Sequence, residues 1–260
     1  MAATRTVPPR PRLDALLVSQ RLADSAERAQ ALVAAGMVEV DGLRARSAAQ
    51  RVEQGAGIRI TGETTRWASR AGEKLDAALS GFGVDCAGRV CLDAGASTGG
   101  FTDVLLSRGA SRVYAVDVGH GLLLPRVGGD PRVTVLDRTN LRLLQQLPGP
   151  PPSLVTLDLS FISLRTVLPA VARLAAGANV VALFKPQFEM ARESVPRGGV
   201  VRDEAAARAA AEAFLDWCVH ELGATVEGGP VAAPVRGTKG NLELLVHLRL
   251  PGPGTAGAPR

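Results

Sequence analysis

Apolar residues along this chain fall into two successive regimes. At the front, Leu13, Leu16 and Leu17 recur at helical spacing and predict a short helix. Asp24 or Ser25 stands where a cap would open a second helix, with Glu27 at capping-box spacing from Asp24 and Gly36 as the stop. Val38-Glu39-Val40 then alternates into Asp41-Gly42, a hairpin-type turn, and Ile58 with Ile60 offers a closing strand. Two helices and a small twisted sheet in roughly fifty residues are too little for a sizeable catalytic core.

Beyond Arg89 the rhythm changes. Short apolar runs at 90–93, 113–117, 133–136, 154–158 and 180–184 each end at or near a polar residue, and helical stretches separate several of them. This pattern predicts a parallel sheet wound on both faces, with ligands held at the carboxyl ends of its strands. Residues 203–222 form the longest predicted helix. Two late strands, 225–234 and 242–250, are joined by a loop alone and are expected to be an antiparallel pair. Pro-rich ends, 1–11 and 251–260, read as loose tails.

Composition narrows the class. The chain has 260 residues, 46% hydrophobic and 21% charged, a globular balance. No apolar run approaches the roughly 18 residues of a membrane span, and residues 1–12 lack the apolar stretch of a signal peptide. Three cysteines outside CxxC spacing exclude a disulfide scaffold and a four-cysteine zinc site, so the expectation is a cytoplasmic protein without a metal site. The net charge of +5 is unevenly spread: residues 1–70 hold 11 Arg against 7 acids, whereas the rest is nearly balanced. A polyanion partner at the front fits that asymmetry. Lysine is scarce, with only Lys74, Lys185 and Lys239 against 27 Arg. A lysine can lose its proton when its surroundings favour the neutral amine, and an arginine effectively cannot.

The segment Asp93-Ala-Gly-Ala-Ser-Thr-Gly-Gly100 follows the first strand of the second region and opens a helix. It lacks the Gly-Lys-Ser/Thr of a Walker loop, and Ser97 replaces the middle glycine of a strict GxGxxG. Asp117 closes the next strand, where an acid accepts hydrogen bonds from the ribose hydroxyls of an adenosine. NAD and S-adenosylmethionine share that adenosine, so this pair leaves the choice between them open. Asp158-Leu-Ser-Phe161 and Lys185-Pro-Gln-Phe-Glu189 end the fourth and fifth strands. The Asn/Asp-Pro-Pro-Tyr/Phe segment of N-methylating enzymes is absent. Cys86, Cys91 and Cys218 read as buried packing, which disfavours the cysteine nucleophile of carbon-5 pyrimidine methylation.

Taken together, the blocks Ser69-Arg-Ala-Gly-Glu-Lys-Leu75, 92–103, Asp158-Leu-Ser-Phe-Ile-Ser163, 185–189, Gly198-Gly-Val-Val-Arg-Asp203 and Lys239-Gly-Asn-Leu-Glu243 resemble the TlyA-type ribosomal RNA 2′-O-methyltransferases, also called haemolysin A. The resemblance covers about residues 12–249. It implies a small N-terminal α+β S4 RNA-binding domain (12–63), a linker (64–70) and an FtsJ-like methyltransferase domain (71–250). The latter would be an α/β, Rossmann-like, seven-stranded S-adenosylmethionine-dependent fold whose last strands are antiparallel. The FtsJ-like catalytic pattern Lys-Asp-Lys-Glu falls on Lys74, Asp158, Lys185 and Glu243. By themselves, Lys74 would read as a solvated helix charge and Glu243 as a surface strand residue.

The resemblance further implies S-adenosylmethionine as the cofactor, with Asp93, Gly95 and Ser97 near its methionine portion, Asp117 at its ribose and Asp137 near adenine. His120 reads as an ordinary loop histidine. Arg12, Arg21, Arg28, Arg44, Arg46 and Arg51, with Lys239, are expected to contact phosphates of ribosomal RNA or ribosomal subunits. Trp67 is expected either to pack the domains or to stack on a base. Competing expectations are an S4-bearing pseudouridine synthase, which the donor-binding pattern disfavours, a membrane-active haemolysin, and an RNA-binding protein without methyl transfer. For a membrane role the best helix, 203–222, carries one Arg against five acids, a poor match for anionic lipid.

Overall fold

The computed structural model describes residues 10–53, 55–61, 66–237 and 239–253. Most of both tails, Gln54, Thr238 and residues 62–65, which span the expected boundary between the S4 domain (12–63) and the linker (64–70), lie outside the described residues. The chain divides into two compact units, one ending at residue 65 and the other beginning at Arg66.

The first unit contains α1 (Leu13–Ser19), α2 (Ala26–Ala34), β1 (Val38–Val40), β2 (Leu43–Arg44) and β3 (Ile58–Ile60). Ser25 caps α2, its hydroxyl accepting from the Arg28 amide, so the capping box expected from Asp24 does not form. Asp41 and Gly42 both have positive φ (51° and 78°), the backbone that a two-residue hairpin turn requires. That turn sets the antiparallel register Val40↔Leu43, and β3 pairs along the other edge of β1. Leu13, Leu17, Ala29, Leu32 and Val38 fill the core of this unit.

The second unit contains α3 (Ala71–Gly81), β4 (Val90–Ala94), α4 (Gly100–Ser107), β5 (Arg112–Val116), α5 (Pro125–Gly128), β6 (Val133–Leu136), β7 (Leu154–Leu157), α6 (Leu164–Leu174), β8 (Asn179–Phe184), α7 (Pro186–Glu189), α8 (Glu204–His220), β9 (Thr225–Ala232) and β10 (Leu244–Arg249). The sheet order is β6-β5-β4-β7-β8-β10-β9. Strands β4 to β8 run parallel, and β10 lies antiparallel between β8 and β9. Every residue of β7 and β8 is buried, as expected of strands covered on both faces. The chain order reverses at β4 and β7, which makes the carboxyl ends of these strands the place for ligands.

The reversed β10 has a further consequence. Register pairs Leu244 with Phe184, so β10 begins where β8 ends. The residue before β10 and the residue after β8 therefore meet at the ligand end of the sheet.

Trp67, expected in the linker, belongs to the second unit. It is buried against α3, where Gly72 leaves room that any Cβ would close, and Arg66 lies over its ring at 4.5 Å. A buried ring offers no face to a base, so the stacking alternative falls. All three cysteines are buried, and burial pushes the Cys86 thiol up to about 11 and Cys218 to about 12. No helix among the described residues is long and apolar enough to cross a membrane.

Candidate active site

Four side chains from four separate parts of the sequence converge at the carboxyl edge of the sheet. Lys74 sits on the inward face of α3 with Leu75, Ala78 and Leu79. Asp158 follows β7, Lys185 follows β8, and Glu243 precedes β10. Lys185 Nζ lies 2.6 Å from Asp158 Oδ1, and Lys74 Nζ lies 2.5 Å from Glu243 Oε2. The four side chains are between 5% and 16% exposed, which excludes the surface readings of Lys74 and Glu243.

The two pairs act on each other. Burial pushes the Asp158 carboxyl up, but the charges of Lys185 and Lys74 outweigh it and hold the group below its ordinary range. Lys185 Nζ also donates to Ser160 Oγ at 3.0 Å, so the amine is fixed by two acceptors on one loop.

A neighbouring loop, 94–99, forms a cradle of close backbone approaches. Gly95 has φ +86°, and a Cβ there would stand 2.5 Å from the Asp158 carbonyl oxygen. Ser97 and Gly99 also have positive φ (47° and 98°). At the end of β5, Asp117 accepts from the Ser97 amide (2.9 Å) and the Gly119 amide (2.8 Å), which aims its carboxylate and leaves lone pairs for a ligand. After β6, Asp137 accepts from the Gly121 amide (2.8 Å) and faces His120 Nδ1 at 3.0 Å. His120 is thus an exposed loop histidine with a carboxylate partner.

Asp93 requires a correction. It is fully buried, accepting from Thr102 Oγ1 (2.6 Å) and Thr156 Oγ1 (3.2 Å), so it underpins the cradle without reaching a ligand. Burial, aided by the charge of Asp158, pushes its carboxyl from 3.8 up to about 7. The folded state therefore holds this proton more tightly than the unfolded chain. The stabilisation is complete below pH 3.8 and disappears as pH rises to about 7. Urea unfolding of Asp93→Asn, compared with the parent across pH 5 to 8 on the scale of roughly 1.4 kcal/mol per pH unit, is expected to show a flatter decline with pH. Parallel profiles would refute the buried proton.

In the first unit, the expected phosphate contacts differ in availability. Arg21, Arg44 and Arg46 are exposed, with the Arg44 guanidinium lying over Gly36. Arg12 forks onto Asp14 at 3.0 and 2.6 Å, and Arg51 donates to the Arg10 carbonyl at 2.8 Å. Arg28 departs from the expectation of an open contact: it is half-buried, and loss of solvent lowers its affinity for its proton. Lys239, in the second unit, is exposed on the loop before β10.

Residue-type reasoning missed Phe161. It is 90% exposed with φ +65°, a costly backbone for a bulky residue, and its ring lies 5.1 Å from that of Phe188. The available signal was scarcity. In a chain with six Phe, two stand on the loops that carry Asp158 and Lys185.

Residues 67–249 match the FtsJ-like methyltransferase family and residues 11–58 the S4 domain. Over 251 residues the chain is 46% identical to the 16S/23S rRNA (cytidine-2′-O)-methyltransferase TlyA of Mycobacterium tuberculosis, spanning 92% of this chain and 90% of that protein. The chain belongs to the TlyA family. Another relative, the rRNA methyltransferase-named protein YqxC of Bacillus subtilis, is 38% identical over 95% of this chain and 88% of its own length. A solved structure from Streptococcus thermophilus that carries a hemolysin name shares 37% identity and a TM-score of 0.71. That match covers 94% of this chain and 90% of that one.

Proposed function

We propose that this protein is an S-adenosylmethionine-dependent 2′-O-methyltransferase that acts on cytidine in ribosomal RNA within ribosomal subunits in the cytoplasm. The observation that carries this reading is the buried cluster of two amines and two carboxylates beside a backbone cradle. The cradle suits an adenosine-bearing ligand: Gly95 lets its loop pack closely against the Asp158 backbone, and Asp117 and Asp137 present oriented acceptors at the ends of β5 and β6. The cofactor, when bound, supplies an electrophilic methyl group on a sulfonium.

The chain's own residues then have separable tasks. A ribose hydroxyl becomes a competent nucleophile as it loses its proton, and we assign the acceptance of that proton to Lys185. Asp158 and Ser160 aim the amine, while Lys74 and Glu243 orient the sugar. The O–H bond breaks toward Lys185 and frees the oxygen's electron pair; the bound donor would supply the methyl group, its carbon–sulfur bond breaking so that a neutral thioether is left behind. Exposed Phe161 offers a flat face on which the base of the target nucleotide stacks. The S4 unit, through Arg21, Arg44 and Arg46 foremost, and Lys239 dock the RNA through its phosphates.

The test is transfer of labelled methyl groups to separated small and large subunits, followed by nucleoside analysis. Recovery of 2′-O-methylcytidine supports the reading. Label on a base, or donor binding without transfer to any ribosomal fraction, overturns it. On the donor side, Gly95→Ala is expected to weaken S-adenosylmethionine binding by about tenfold or more, because the new methyl must displace the Asp158 carbonyl and strain a positive-φ residue. Calorimetric titration checks this, and unchanged affinity would remove Gly95 from the cradle.

A further inference from the structure

Glu189 lies four residues beyond Lys185, at the end of the single-turn α7 whose N-cap position Lys185 occupies. Lys185 reaches Asp158 and Ser160, whereas Glu189 reaches the far end of the same loop. Its Oε2 accepts from Ser163 Oγ at 2.6 Å and its Oε1 from the Leu164 amide at 2.7 Å. Ser163 is the cap of α6, and Leu164 is the first residue of that helix. Amides in a first helical turn have no partner within the helix, and an acid there is the usual remedy. The first turn of α6 contains no acid of its own. Glu189 supplies the missing carboxylate from another segment of the chain.

Between these anchors lie Asp158, Ser160 and Phe161, the last in a left-handed backbone and touching Phe188 on the opposite segment. The two segments are thus tied three times: by Lys185 to Asp158 and Ser160, by Phe188 to Phe161, and by Glu189 to Ser163 and Leu164. Of these ties, only the Glu189 one involves no residue assigned to the chemistry or to base stacking. Glu189 is half-buried, and burial raises its carboxyl above the ordinary range, yet both of its oxygens remain engaged.

We propose that Glu189 is a positioning residue that locks the loop carrying Asp158, Ser160 and Phe161 onto the segment carrying Lys185. This rests on the methyltransferase reading above and adds a residue that touches neither donor nor ribose. The lock predicts a split between binding and turnover: loss of Glu189 frees the acid and the aromatic platform, while the donor cradle keeps its own anchor, Asp117 accepting from the Ser97 and Gly119 amides.

The experiment compares the full chain with Glu189→Ala and Glu189→Gln, since glutamine keeps an acceptor for Leu164 and a donor for Ser163. Amide hydrogen exchange across residues 158–166 gives a readout independent of activity. Methyl transfer to ribosomal subunits gives kcat and KM, and calorimetry gives S-adenosylmethionine affinity. In Glu189→Ala, exchange in 158–166 is expected to accelerate by about tenfold or more and kcat to fall by a comparable factor, the effect of losing a half-buried charged acceptor. Donor affinity stays within about twofold, and Glu189→Gln restores both exchange and kcat. An alanine variant with faster exchange and unchanged kcat makes Glu189 a helix cap only and overturns the proposal. Faster exchange throughout β7 and β8, or no change in 158–166, overturns it as well. If the parent protein methylates no ribosomal RNA, the functional reading fails by itself, and the exchange comparison still decides whether the lock exists.

Discussion

Lys185→Ala is expected to lower methyl transfer to ribosomal RNA by about 10²- to 10⁴-fold, the range over which a positioned proton acceptor acts. Donor affinity should change little, because the amine belongs to the Asp158–Ser160 side of the site and the cradle lies at residues 94–99. Alanine also leaves Asp158 with Lys74 as its remaining cation, and burial then presses harder on that carboxyl. Asp158 has a depressed pKa in the parent, so its stabilisation is present above pH 3.8 and is lost as pH falls through the lower folded value. The variant should lose part of that acid resistance. Lys185→Arg separates the two effects. The guanidinium keeps the charge beside Asp158 but cannot give up its proton at working pH. Steady-state transfer with this variant should be as low as with alanine, while its stability stays near that of the parent. An arginine variant with more than about a tenth of the parent rate would mean that charge, and not proton acceptance, is what Lys185 contributes.

The lysine count pointed to this site. Arg carries nearly every positive charge of this chain, and two of its three lysines, Lys74 and Lys185, stand in the cluster, whereas Lys239 lies on an exposed loop. The strands were equally legible, because β4 to β8 are short, mainly apolar runs that end at or near polar residues. What apolar patterning could not carry was the position of β10. Only its antiparallel insertion beside β8 brings Glu243 to Lys74, and strand order is set by long-range pairing that leaves no local trace. Asp93 failed for a related reason. A motif acid at a strand end looks the same whether it faces a ligand or, as here, two buried threonine hydroxyls. Phe161 and Glu189 gain their meaning from partners on another loop, Phe188 in one case and Ser163 with Leu164 in the other.

The Lys74–Glu243 pair allows stability and chemistry to be told apart. The Glu243 side chain is 5% exposed and that of Lys74 11%, so Glu243→Ala abandons a buried ammonium in a site with little solvent. The expected cost is about 3 kcal/mol in urea unfolding, the usual penalty for breaking a buried ion pair from one side. Removing both charges is a different experiment. In the double variant Lys74→Met, Glu243→Leu no charge is left unpaired, and apolar groups of similar volume commonly restore stability or exceed it. Stability should therefore return to near the parent value while methyl transfer stays as low as in the single variant. The double-mutant cycle measures the coupling directly. A double variant that recovers activity along with stability would show that the pair serves the fold, and would remove Lys74 and Glu243 from the chemistry. Stable and inactive, it would show that a costly arrangement of buried charges is kept for the reaction, since a well-packed apolar pair would hold the fold at least as well.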